Sequence, residues 1–180
     1  MANRQALREL QTRLAERLQA ARTNQVQGAS WLAVQAGARN YLLPLEQAGE
    51  IFAWPGVMHV PYTKAWFWGV ANLRGGLTGV VDLSAYLGHP VERKEQALHE
   101  LSLLTINPAL QVNVALVVDE LLGLRSSNDF ISTALEATQD EQPCLPGIVG
   151  ERYTDRANAV WQVLQLQQLV QTPEFLSIRI

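Results

Sequence analysis

The chain is poor in the residues that most metal, redox and nucleotide chemistry requires. Its 180 residues include one cysteine, Cys144, three histidines, and only two lysines, Lys64 and Lys94. A lone cysteine closes no disulfide within the chain and builds no thiolate metal cluster. The economical compartment for such a chain is reducing and cytoplasmic. His59, His89 and His99 show no His-Glu-x-x-His spacing, so no metal is expected. No Gly-rich loop ends in Gly-Lys-Ser/Thr, and Gly75-Gly76-Leu77-Thr78-Gly79 lacks dinucleotide-binding spacing and opens a strand. No Gly-x-Ser-x-Gly elbow is present. Asp119 and Glu120 are adjacent, so on a strand they face opposite ways and cannot work as an acid/base pair. The chain therefore reads as a non-enzyme with no cofactor.

Charge is scarce as well. Charged residues make up 17% and the formal net charge is −3, against roughly a quarter charged in an average soluble domain. With a pI near 5.6, a nucleic-acid binder that neutralises phosphates is not expected. The low charge leaves surface for protein partners. Residues 101–118 carry no charge, but Asn107, Pro108, Gln111 and Asn113 interrupt them, so no membrane span is expected there. The N-terminus has no continuous apolar run of the signal-peptide kind. Apolar residues reach 48%, enough for burial to offset the entropy of ordering.

Two patterns follow one another. Leu7, Leu10, Leu14 and Leu18 recur at helical spacing among Arg4, Arg8, Arg13, Arg17 and Arg22, opposed only by Glu9 and Glu16. This predicts a basic amphipathic helix, with an acidic remainder on which it can dock; a partner-binding helix is the alternative. Residues 23–29 read as a linker, which sets an extension over 1–28 and a domain over 29–180. From residue 30 the period shifts towards two. Hairpins are expected over 31–45 and 70–83, Pro44 marks an edge or bulge, and 63–68 fit one helical turn. Asp82 is placed to cap a short helix over 83–87 that stops at Gly88. Residues 91–96 read as charged and exposed, dividing the chain into two β-rich halves. Strands are expected over 101–106, 112–118, 121–124, 151–153 and 159–164, a polar loop over 138–146, and a last short helix over 165–171. Short strands with Gly and Pro turns indicate barrels or sandwiches, not a doubly wound sheet.

The most patterned region is Asn72-Leu73-Arg74-Gly75 followed by Val80-Val81-Asp82-Leu83. Arg74 at a hairpin tip can project its five-donor fork outward or fold back onto carbonyls and a carboxylate. Together these two tetrads resemble the hallmark of CheW-like domains, the coupling proteins of bacterial chemosensory arrays. Residues 41–51 with Glu50-Ile51, the run Val117-Val118-Asp119-Glu120-Leu121, and Pro146-Gly147-Ile148-Val149-Gly150 extend the likeness over residues 30–171. The basic lead-in and Trp68-Gly69-Val70-Ala71-Asn72 are most similar to the branch serving type IV pilus twitching motility. Gly79 stands where the family often has proline, and the lead-in lies outside the shared domain.

The resemblance implies a mainly β fold of two packed SH3-like barrels with short helices. It implies a non-catalytic cytoplasmic adaptor, associated with membrane-bound receptor arrays. Such an adaptor joins a methyl-accepting receptor's cytoplasmic tip to the regulatory domain of a histidine kinase. A receptor-binding groove is then expected at Ala48, Glu50, Asn72 and Arg74, with Val118 and Asp119 nearby. Trp54 before Pro55 is a candidate partner anchor. The rival from another class is a β-barrel sensing a small molecule or peptide without kinase contact, and a weaker one is an enzyme with an unrecognised site. A deep pocket with convergent polar groups would favour the sensor; a shallow groove would favour the adaptor.

Overall fold

The computed structural model describes residues 31–134 and 147–180. The predicted N-terminal helix and its linker, and the whole polar loop over 138–146 with Cys144, lie outside the described residues.

Among the described residues, eleven strands form two sheets. β1 (Trp31–Ala36) and β2 (Arg39–Pro44) make the first hairpin, followed by β3 (Ala48–Ala53), β4 (Phe67–Leu73) and β5 (Gly76–Asp82). Next come α1 (Leu83–Tyr86), β6 (Ser102–Ile106), β7 (Val114–Val118), β8 (Glu120–Arg125) and β9 (Phe130–Ala134). The chain ends with β10 (Val149–Asp155), β11 (Val160–Leu164), α2 (Leu166–Leu169) and α3 (Pro173–Leu176). One sheet runs β8-β1-β2-β11-β10-β9 and the other β3-β6-β7-β5-β4. In both, a hairpin is joined by a parallel strand, β11 on β2 and β7 on β5. The parallel strand is then flanked by antiparallel partners, β10 and β9 in one sheet, β6 and β3 in the other. Each sheet belongs to one SH3-like barrel.

The division of the chain into halves near residues 91–96 is corrected by this topology. β1 and β2 join strands made after residue 119, while β6 and β7 join β3, β4 and β5. Both barrels draw strands from both sides of that stretch.

Successive side chains on a strand point to opposite faces, and the central strands are apolar on both. Ala115, Leu116, Val117 and Val118 are all completely buried, as are Leu103 and Leu104. Leu104, Leu116 and Val118 face a central core shared with Val34, Leu43 and Leu164 of the other sheet. Leu103, Ala115 and Val117 face a second core inside their own barrel, with Trp54 and Trp68 packed on it. Ala33, Leu42, Trp161 and Val163 form the equivalent core of the other barrel. Truncating any of these leucines to alanine costs about 2–5 kcal/mol.

Pro44 is the last residue of β2, past the Asn40–Leu42 stretch that pairs with β11, where its missing N–H breaks no ladder. The helical turn expected over 63–68 is not formed. Phe67 opens β4, its N–H bonding the Lys64 carbonyl, and Gly69 lies so close to Met58 that a Cβ would meet the Met58 oxygen at 2.0 Å. That approach lets Met58 and Val70 exchange both backbone hydrogen bonds, covering the outer edge of β4.

Candidate functional site

The β4–β5 hairpin builds one wall of the site. Leu73 pairs with Gly76, leaving a two-residue turn, Arg74-Gly75, with φ of 51° and 83°. Positive φ at both positions is what a tight I′ hairpin demands, and glycine supplies it without strain. Asn72 Oδ1 accepts from the Gly75 N–H at 2.9 Å and fixes the turn from inside. The turn aims Arg74 across the sheet to β3, where its Nη1 meets Glu50 Oε1 at 2.9 Å. The guanidinium also lies over the Phe52 ring, 5.7 Å from its centroid. Both charged side chains stay in water, 73% exposed for Arg74 and 52% for Glu50.

Beside this pair runs an open groove of about 400 Å³. Phe52, Leu73, Ile106 and Val112 give it apolar walls, and Thr78, Thr105 and Asn113 give it polar groups. Thr105 Oγ1 accepts from the Glu50 N–H at 2.7 Å, which holds β3 at the position where its register slips. Exposed Ile51 and Leu77 stand near the Glu50 and hairpin sides.

The expected site residues do not all gather here. Glu50, Asn72 and Arg74 come together, and Ala48, half-buried, pairs with the groove residue Ile106. Val118 is completely buried in the central core, so it presents no side chain to a groove. Asp119 lies at the far end of the sheet. β5 and β7 are parallel, and the length of β5 puts Asp82 and Asp119 about 20 Å from the Arg74 turn at roughly 3.3 Å per residue. Trp54 is half-buried at that same far end, in edge-to-face contact with Trp68 at 5.7 Å. The two indoles line a second groove, of about 310 Å³, with Val57 and Leu98.

That far end contains a residue that sequence reasoning missed. Arg93, expected to be exposed within a charged run, has a side chain only 5% exposed. Its Nη1 meets Asp82 Oδ2 at 2.7 Å, while its Nε and Nη2 meet the two Asp119 oxygens at 2.7 and 2.8 Å. Nη2 also reaches Ser84 Oγ, and the guanidinium covers the Trp68 ring. Asp82 caps α1 as expected, accepting from the Ser84 and Ala85 N–H groups. Asp119 accepts from Gly37 N–H at 2.6 Å in the β1–β2 turn, so the cluster ties one sheet to the other. Burial pushes the Asp119 carboxyl up, but hydrogen bonds from Arg93 and Gly37 and the Arg93 charge outweigh it and hold it below its ordinary range. Burial likewise works against the Arg93 charge, and the two carboxylates override it, raising its pKa. The signal available in the sequence was a pair of acids, each directly after two valines that end a doubly buried strand. Two such carboxylates require a shared cation.

With this geometry in place, comparison with known proteins is decisive for the family. The model of the CheW-like domain matches residues 30–174. The chain belongs to the CheW-like domain family. Protein PilI of Pseudomonas aeruginosa is 31% identical over 103 residues, covering 56% of this chain. The match spans about half, 54%, of that curated relative. The crystal structure of the scaffolding protein TtCheW from Thermoanaerobacter tengcongensis superposes with a TM-score of 0.59. The identity is 16%, over 77% of this chain and 89% of that one, which speaks to the fold alone.

Among the described residues no helix is long and apolar enough to cross a membrane. Among them, too, no group of three or more His, Cys, Asp or Glu could hold a metal ion.

Proposed function

We propose that the protein is a non-catalytic adaptor. It couples the cytoplasmic helical tip of a methyl-accepting chemosensory receptor to the regulatory domain of a histidine kinase, in a pathway that controls type IV pilus twitching motility. The observation that carries this reading is the exposed Glu50–Arg74 pair on the rim of an open, apolar-walled groove, in a chain of the CheW-like family. A helical tip offers apolar side chains to such walls and side-chain amides or charges to a planar guanidinium. The pair itself is weak and solvated, so exchanging Glu50 for a partner group costs little. The likeness to Protein PilI supports the pilus branch. The open groove favours this adaptor over a sensor that encloses a small molecule.

Mechanistically, the adaptor holds two partners in fixed register through stiff barrels. Interfaces on the order of 1,200–1,600 Å² or less would suffice, strengthened by repetition in an array. The test is co-purification of the folded chain with a receptor's cytoplasmic helical hairpin and with the kinase regulatory domain. Retention of both is expected; failure to retain either overturns the reading.

A further inference from the structure

The groove at Glu50 and Arg74 lies at the end of the molecule where the described chain begins. Trp31 opens β1 and pairs with Pro44. Four residues later Ala48 pairs with Ile106 in the groove wall. The intervening turn is fastened to that same wall. Asn107 Nδ2 donates to the Glu46 carbonyl at 2.7 Å, and the Asn107 N–H donates to the Gln47 carbonyl at 3.0 Å. Of the residues that follow, Pro108, Gln111, Val112 and Asn113 line the groove. From Trp31 to the groove is therefore about 20 Å, counting one strand spacing and four extended residues. The polar stretch of residues 23–30 spans up to ~26 Å when extended, so residues 1–22 reach the groove directly.

Chemistry matches reach. Residues 1–22 carry Leu7, Leu10, Leu14 and Leu18 at helical spacing, with five arginines against two glutamates, a net charge of +3. The whole chain is −3, so the remainder is −6. The groove offers apolar walls for leucines, and exposed Glu46 and Glu50 stand on the side from which the chain arrives.

We infer that residues 1–22 dock in the Glu50–Arg74 groove of their own domain and compete with whatever partner binds there. The leucine stripe enters between Phe52 and Val112, and the arginines face the Glu46 side. For the identity of the competitor this rests on the reading of the groove as the receptor surface; the docking itself does not.

The experiment compares the full chain with Leu10→Asp/Leu14→Asp, and with the charge reversal Arg13→Glu/Arg17→Glu, by hydrogen exchange. Exchange in 48–53 and 103–113 is expected to become at least threefold faster in both variants, with 160–164 unchanged as a control on global stability. The same variants should bind a receptor helical hairpin about three- to tenfold more tightly than the native chain. Unchanged exchange in the groove segments, or a change confined elsewhere, overturns the docking whatever the hairpin does. Faster groove exchange without any hairpin binding leaves the docking standing and removes the receptor reading instead.

Discussion

The same chemistry, a guanidinium facing carboxylate oxygens, stands at both ends of the β3–β7 sheet. At the β4–β5 turn, Arg74 and Glu50 meet in water through one contact. Where β5 and β7 end, Arg93 is folded into a cage of Asp82, Asp119, Ser84 and Trp68. Screening and side-chain entropy leave the first pair worth about 0–1 kcal/mol. The second has paid the desolvation of three charges and is held only because nearly every donor and acceptor is matched. An ion pair's contribution is set by its surroundings, and the exposed one is free to change partners because nothing depends on it.

The sharpest way to break this contrast is Arg93→Ala. Two carboxylates would be left without their cation, and a denaturant melt should show about 3–5 kcal/mol of lost stability. Combining Arg93→Met with Asp82→Asn and Asp119→Asn should recover most of that loss, since no uncompensated charge remains. A loss below 1 kcal/mol for Arg93→Ala would show that water replaces the guanidinium.

Asp119→Asn comes next, at about 1.5–3 kcal/mol near neutral pH for a lost charge-assisted hydrogen bond. Its pH dependence has a definite sign. The folded carboxyl lies below its unfolded value of about 3.9. Its stabilisation is therefore complete above that value and is lost as pH falls through the folded pKa. The stability gap between native and Asn variant should close below about pH 4, as followed by melts at successive pH values.

Arg74→Glu should act the other way round. Receptor-hairpin binding is expected to fall at least tenfold, or about 1.4 kcal/mol, while the melt moves by less than about 1 kcal/mol. The smallest effect belongs to the swap Glu50→Arg/Arg74→Glu. It keeps the pair and stability within a few tenths of a kcal/mol, yet should not restore binding, because the partner meets the charges exchanged.

Much of the framework was legible in local sequence. The Asp82 cap and the Arg74-Gly75 turn depend on residues close in the chain, and both were readable. Arg93 was not, because Glu92, Lys94 and Glu95 around it are exposed, and its partners stand 11 and 26 residues away. Only the parallel pairing of β5 and β7 brings Asp82 and Asp119 together. The same long-range pairing defeated the expected grouping of Asp119 with Arg74, and the supposed halves. Residues 63–68 look like a helical turn locally, but only the single turn closed by the Phe67 N–H on the Lys64 carbonyl forms. The burial of Phe67 and the close approach at Gly69 commit the chain from Phe67 onward to a strand. The repeat of strand order between the sheets is likewise invisible in sequence, since it is a repeat of pairings and not of residues.

The interleaved strand order bears on how the chain comes off the ribosome. All five strands of the β3–β7 sheet have been synthesised by residue 118, but β1 and β2 must then wait for β8 and for β11, which pairs with residues about 120 positions earlier. The nascent protein thus carries one finished barrel and an oily hairpin whose outer edges are not both paired until residues 160–164 emerge, and that interval is when chaperones have the most to guard.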